Sequence, residues 1–241
     1  MAITDKKTGP WGLDQVYNKI NQGSIWDYSG PNELWAWGEN EYGELGLNDR
    51  IDRSSPTQIP GTTWKNVSIN GGTTAARVFV TKTDGTLWCW GDNPNGELGL
   101  NNHDNHKSSP VQVGSDTTWK QASTTHSSSA GVKTDGTLWT WGKSYYGQLG
   151  QGQAGPVSYS SPVQVPGTTW SYVCDGTVSR KAIKTNGTLW AWGFNSVGCF
   201  GVNQASAQLL ATSSPVQVGS DTTWAIVANN KNYNSLAVKT D

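Results

Sequence analysis

The chain carries its apolar residues in short, strand-length runs separated by glycine, proline, asparagine and aspartate, and no helix-length amphipathic run interrupts them after residue 33. Trp64-Lys65-Asn66-Val67-Ser68-Ile69 predicts a first strand and Arg77-Val78-Phe79-Val80-Thr81-Lys82 a second. Asp84-Gly85 predicts a tight type I′ hairpin turn, because that turn needs positive φ. Thr86-Leu87-Trp88-Cys89-Trp90 predicts a third strand. A fourth begins at proline, as in Pro110-Val111-Gln112-Val113 and Pro162-Val163-Gln164-Val165. Proline cannot donate to a ladder, so this strand belongs at the edge of its sheet.

This order recurs. Leu-Trp-x-Trp-Gly starts at Leu34, Leu87, Leu138 and Leu189, at spacings of 53, 51 and 51 residues. Ser-Ser-Pro recurs at Ser54, Ser108, Ser160 and Ser213. Thr-Thr-Trp places Trp64, Trp119, Trp170 and Trp224, and Lys-Thr-Asp/Asn recurs at Lys82, Lys133, Lys184 and Lys239. Four markers in one order at one period predict an all-β array of four-stranded blades, a small propeller of four blades.

Period-two alternation in the third strand puts Leu87 and Cys89 on one face and Trp88 and Trp90 on the other. At the position of Cys89 the other copies carry Ala36, Thr140 and Ala191, all small. A bulky face and a smooth face suit a sheet held between two neighbours. Trp35, Trp37, Trp88, Trp90, Trp139, Trp141, Trp190 and Trp192 are thus expected to pack between blades. Each fully buried indole removes ~150–250 Å² from water, an upper bound of ~4–6 kcal/mol.

The chain divides into an arm, 1–33, and the repeats, 34–241. Leu34 opens a third strand and Lys239-Thr240-Asp241 lies within a hairpin turn, so the amino-terminal strand is expected to pair with the last hairpin strand and close the ring. A head-to-tail homo-oligomer would satisfy the same pairing. In the arm, Leu13, Val16, Tyr17 and Ile20 fall on one face of a short amphipathic helix. With Trp11 and Trp26 they expose too much apolar surface for a mere tail, so the arm is expected to anchor on a partner subunit, the alternative being that it packs back on its own propeller.

Strand order places the first-to-second and third-to-fourth connections at one end of the blades. These are the connections that vary: Asn48–Arg53, Asn101–Lys107, Gln151–Tyr159 and Asn203–Thr212, with Asn70–Ala75, Thr124–Ser129, Asp175–Lys181 and Asn229–Asn234. Variable loops on a rigid scaffold are where recognition sits. Candidate recognition residues are Arg50, Asp52, Arg53, His103, Asp104, His106, His126, Tyr159, Arg180, Lys231 and Tyr233, with Tyr145 as a further aromatic platform.

Charge and chemistry narrow the function. Seventeen basic and 18 acidic residues give a net charge of −1, with no basic footprint for nucleic acid. No apolar run approaches the ~20 residues that span a bilayer, so no membrane insertion is expected. Cys89, Cys174 and Cys199 are too widely spaced for a CxxC pair and read as free thiols. His103 and His106 lack a third ligand in reach, and the carboxylates Glu44 and Glu97 become Gln148 and Cys199 in other copies, against a repeated calcium site. No nucleophile stands with a base and an orienting acid. The expectation is a protein with no cofactor and no metal that is not an enzyme.

The units resemble RCC1-type repeats. The resemblance lies in Trp90-Gly91-Asp92-Asn93-x-x-Gly96-Glu97-Leu98-Gly99, in Trp141-Gly142 with Gly147-Gln148-Leu149-Gly150, and in the Thr-Asp-Gly-Thr-Leu-Trp hairpin; the last copy runs Gly198-Cys199-Phe200-Gly201. It implies a propeller. The best known member of the family has seven blades and promotes nucleotide exchange on a small GTPase, an activity that fold alone does not transfer. The style of the repeats is similar to RCC1-like proteins of bacteriophages and aquatic bacteria, and Gly9–Tyr17 resembles a leader of phage virion proteins. These resemblances imply a virion structural protein (tail fibre, spike or capsid decoration), assembled in the host cytoplasm. Its arm would hold other virion subunits, and its loops would meet a host glycan or protein. A stand-alone lectin and an RCC1-like regulator or inhibitor of a protein partner are the alternatives.

Overall fold

The computed structural model describes residues 32–71, 76–103, 105–153, 155–204, 209–229 and 233–240. These belong to one compact unit beginning at Asn32. Sixteen strands are described and every pairing among them is antiparallel. The first repeat contributes β1 (Leu34–Gly38) and β2 (Arg53–Ile59), a two-stranded sheet. Three full blades follow. They are β3 (Trp64–Gly71), β4 (Ala76–Lys82), β5 (Leu87–Gly91) and β6 (Lys107–Gln112); then β7 (Trp119–Thr124), β8 (Ser128–Lys133), β9 (Leu138–Ser144) and β10 (Val157–Gln164); then β11 (Trp170–Asp175), β12 (Ser179–Lys184), β13 (Leu189–Phe194) and β14 (Ala211–Gln217). A last two-stranded sheet joins β15 (Trp224–Asn229) to β16 (Ser235–Lys239).

Strand order within each full blade follows the sequence, so the proline-bearing strand lies at an edge, as its missing N–H requires. It starts earlier than expected: β6 takes in Lys107-Ser108-Ser109 before Pro110, with a bulge between the Gly91–Lys107 and Cys89–Val111 pairs. Consecutive blades touch through their first strands, β3 with β7, β7 with β11 and β11 with β15, which places those strands nearest the axis.

The hairpin turn differs from the type I′ expected. Gly85, Gly136 and Gly187 have φ near +79°, +80° and +75°, but the preceding Asp84, Asp135 and Asn186 are not left-handed. Gly85 N–H donates to the Lys82 carbonyl at 3.0 Å, so Thr83 and Asp84 form the turn and glycine closes it with a bulge. Asp84 Oδ1 accepts from the Thr86 N–H (3.0 Å) and Oγ1 (2.7 Å), a local bond that holds aspartate on the ordinary side of φ. These bonds hold the Asp84 carboxyl below the usual carboxylate range, the Thr86 hydroxyl contributing most.

Between blades the smooth face of one sheet meets the indoles of the next. Leu87, Cys89, Leu98 and Phe79 pack with Trp119 and Trp141 of the following blade. Val132 and Leu138 meet Trp170 and Trp192 in the same way. Trp90, Trp141 and Trp192 are completely buried, and each donates its Nε1–H backwards, to the carbonyls of Glu44 (2.7 Å), Glu97 (2.7 Å) and Gln148 (2.9 Å). The alternate indoles Trp88, Trp139 and Trp190 are half-buried. Their rings share the ammonium groups of Lys82, Lys133 and Lys184 with Trp64, Trp119 and Trp170 at 4.1–4.8 Å. Burial pushes the Cys89 thiol far up, leaving it an inert core group.

Ring closure within the chain is the expectation that the structure corrects. Leu34 pairs with Ile59, and Val238 pairs with Ile226; no ladder joins β1 to β16 among the described residues. The rotation from blade to blade is set by the layer between them, an indole against small side chains. Four such steps do not bring Leu34 beside Val238. Trp35 and Trp37 are accordingly 46% and 61% exposed, unlike their counterparts in the full blades.

Candidate interaction face

The two ends of the blades are built differently. At the hairpin end each turn is fastened to the next blade: Trp119, Trp170 and Trp224 donate N–H to the carbonyls of Gly85, Gly136 and Gly187 at 2.9, 2.9 and 3.1 Å. The same bond joins Trp64 to Asn32 at 3.3 Å. This end is committed to holding the array, which explains why its sequence scarcely varies.

At the other end the connections share only a short internal brace. Asn40, Asn93 and Asn195 each accept, at 2.9 Å through Oδ1, the N–H of the residue five further on. Glu44, Glu97 and Gln148 accept from the N–H two residues back at 2.8, 2.7 and 2.7 Å. Glutamine serves as well as glutamate because only an acceptor oxygen is needed.

Of the candidate recognition residues, Arg50, Asp52, His103 and His126 are exposed there, and Tyr233 is 37% exposed. Asp52 and Arg53 brace their own loop: Asp52 Oδ1 accepts from Asn40 N–H at 2.9 Å, and Arg53 pairs with Asp49 at 2.6 Å. His106 is half-buried, its Nδ1 2.8 Å from Asp92 Oδ1 and its ring edge-on to Tyr42, so it is not paired with His103. Tyr159 lies within β10 rather than in a loop, with its hydroxyl donating to Gln153 Oε1 at 2.8 Å. Trp11, Leu13, Val16, Tyr17, Ile20, Trp26, Asp104 and Lys231 lie outside the described residues.

Arg180 is not a surface residue. It lies in β12, wholly buried, and pairs with Asp175; its Nη1 donates to Gln148 O at 3.0 Å and its Nη2 to Ser128 Oγ at 3.2 Å. The strand begins two residues earlier than the loop was expected to end, and that turns the guanidinium inward between blades. Arg77 does the same one interface earlier. Its Nε donates to Asp92 O (3.0 Å), Nη1 to Thr125 O (3.2 Å) and His126 O (2.7 Å), and Nη2 to Asp92 Oδ2 and Glu97 Oε1 (3.2 Å each). All five donors of the guanidinium are used. The loop end therefore stands on two buried arginine clamps.

What this end offers a partner is aromatic. Tyr145 and Tyr146 are 46% and 45% exposed at the start of the β9–β10 loop, and Tyr146 stacks on Phe194 with centroids 4.4 Å apart. The Lys143 ammonium lies 4.7 Å over Tyr145. Val197 and Leu210 of the β13–β14 loop are exposed at the same end. Tyr146 and Phe194 escaped the sequence reading, although the signal was present: Tyr146 occupies a position held by Asn95 in the preceding repeat. A cavity of about 510 Å³ opens elsewhere, between β6 and β10, and is lined by Leu100, Val111, Trp119, Trp139 and Pro162. Two of its polar lining groups, Lys133 and Asp116, are already paired with each other at 2.8 Å.

The repeats match the Regulator of chromosome condensation (RCC1) repeat over residues 32–76, 84–132 and 135–176. Among curated proteins the chain is 33% identical over 202 residues to the ultraviolet-B receptor UVR8 of Arabidopsis thaliana, a match spanning 77% of this chain and 42% of UVR8. It is 28% identical over 179 residues to the human E3 ubiquitin-protein ligase HERC2, spanning 73% of this chain and 4% of HERC2. Human WBSCR16 superposes with a TM-score of 0.70 at 22% identity, covering 83% of this chain and 52% of WBSCR16. Prp20p of Saccharomyces cerevisiae gives 0.69 at 19% identity, covering 87% and 52%. The chain thus spans about half or less of each of these proteins. The repeat match, together with the indole-on-small-residue layer in every full interface, places this chain in the RCC1 repeat family.

Proposed function

We propose that this chain is a non-enzymatic protein-interaction module that holds a protein partner on its loop end, in the manner of an RCC1-like regulator. The observation that carries the reading is the asymmetry of the two ends: one is consumed by blade-to-blade bonds, and the other presents Tyr145, Tyr146, Val197 and Leu210 to solvent. Tyrosine is enriched at interface hot spots, where a large rigid side chain is desolvated at little entropic cost. The relatives support a protein partner. Prp20p binds Gsp1p and histones, and it has been crystallised with Kap60. They lend no weight to the virion appendage, whose anchor residues 1–33 fall almost wholly outside the described ones.

Affinity capture with the wild-type chain and with Tyr145→Ala/Tyr146→Ala tests the proposal. A protein retained by the wild type and lost by the variant supports it. Equal retention by both, or a glycan ligand recovered on an array in place of a protein, refutes it.

A further inference from the structure

Each full interface repeats one plug and one socket. The plug is the second indole of Leu-Trp-x-Trp-Gly. The socket is a left-handed glycine of the preceding repeat: a methyl group on Gly46, Gly99 or Gly150 would lie 2.9, 2.9 or 2.8 Å from Nε1 of Trp90, Trp141 or Trp192. A second socket accompanies the first. Gly43, Gly96 and Gly147 lie against Ser108, Ser160 and Ser213, where a methyl would come within 2.5, 2.6 and 2.5 Å. A backbone N–H close by (Asn48, Asn101, Gly152) donates to the carbonyls of those serines at 2.6, 2.7 and 2.8 Å.

The fourth set of sockets is unfilled among the described residues. Gly201 has the same left-handed backbone (φ +74°), yet a methyl there would meet only Val218, at 3.5 Å, and no indole of the described residues. A methyl on Gly198 would meet no described atom within 4 Å. At the opposite end of the array the matching plugs are unseated. Trp37 is 61% exposed, and Ser54, the counterpart of Ser108, is exposed. The sheet faces agree. Leu236 and Val238 are 79% and 58% exposed where their counterparts Phe79 and Thr81 are buried; Val67 and Ile69 are 55% and 66% exposed where Ala122 and Thr124 are buried.

We infer that a second copy of this chain fills these sockets, head to tail, so that β15–β16 of one copy and β1–β2 of the other form one four-stranded blade. The β4–β5 ladder supplies the register: Thr81↔Leu87, Val80↔Trp88 and Phe79↔Cys89 become Val238↔Leu34, Ala237↔Trp35 and Leu236↔Ala36 across the two chains. Trp37 then lies over Gly201 and donates to the Cys199 carbonyl. A second copy is preferred to self-closure because the half-blades stand as separate sheets among the described residues. Two such arcs make one closed eight-bladed ring with two identical seams, which leaves neither half-blade with its inner hairpin strand unpaired.

Light scattering and sedimentation of the 241-residue chain test this. The expected mass is twice 25.9 kDa. Trp37→Ala and Ala237→Pro each return it to the single-chain mass, with circular dichroism unchanged, because both positions are exposed in the lone chain and strand alternation from Thr240, whose N–H bonds the Thr223 carbonyl, turns the Ala237 N–H away from β15. Oxidation of a Trp35→Cys/Ala237→Cys variant should give a reducible two-chain species. A single-chain mass at every concentration overturns the inference. So does a double-mass species that survives both substitutions, or a Trp35→Cys/Ala237→Cys disulfide formed within one chain.

Discussion

Replacing Arg77 by methionine removes the clamp between the first two full blades, and the structure sets the size of the effect. The side chain is 2% exposed and faces Asp92 and Glu97, whose side chains are 6% and 0% exposed. Methionine fills comparable volume, so little cavity term is added. The loss comes from two buried carboxylates left without their cation and two loop carbonyls, Thr125 and His126, left without donors. Breaking one side of a buried pair typically costs ~3–5 kcal/mol. At ~2–4 °C per kcal/mol for a chain of this length, the melting temperature falls by roughly 6–20 °C. Thermal melts followed by far-ultraviolet circular dichroism and tryptophan fluorescence measure it. One internal check sharpens the result. Arg77→Met/Glu97→Gln should recover part of the loss, since one uncompensated charge is removed. An Arg77→Met protein that melts within a degree or two of wild type would refute the view that this arginine holds the loop end in place.

Three further outcomes follow from the packing. Trp141→Phe loses the bond to Glu97 O and part of a buried ring, and should destabilise by ~1–3 kcal/mol in urea. Lys181→Met should raise the melting temperature, because the Lys181 amine is buried with no hydrogen-bond partner and burial lowers its pKa from the ordinary lysine value. Wild-type folding takes on the neutral amine more readily as pH rises, so the advantage of the variant should shrink towards alkaline pH. Asp84 and Asp135 have carboxyls held below the usual range, by the Thr86 hydroxyl and the Thr137 N–H respectively. Their contribution is present above the unfolded-state pKa, ~4, and is lost as pH falls through the lowered folded values. Asp84→Asn/Asp135→Asn should therefore flatten the acid limb of the stability curve while preserving the turn, since Asn186 already accepts from Thr188 N–H at 3.2 Å in the third hairpin.

The sequence by itself determined the blade. Period-two alternation, turn glycines at fixed offsets and a proline on the fourth strand are local constraints, and each is satisfied within a few residues of where it is written. It also determined which faces meet, because Leu-Trp-x-Trp-Gly separates small from bulky in every copy. Only the tertiary structure decided what depends on residues far apart in the chain. Arg77 and Arg180 read as strand and loop arginines because they occupy different places in their repeats; their role appears only when Thr125 and His126, or Gln148 and Ser128, come in from the neighbouring blade. The open ends were likewise illegible. Complementary edges at Leu34 and Val238 are written in the sequence, but whether they meet depends on the angle added at each interface, a sum over the whole arc that no local pattern encodes.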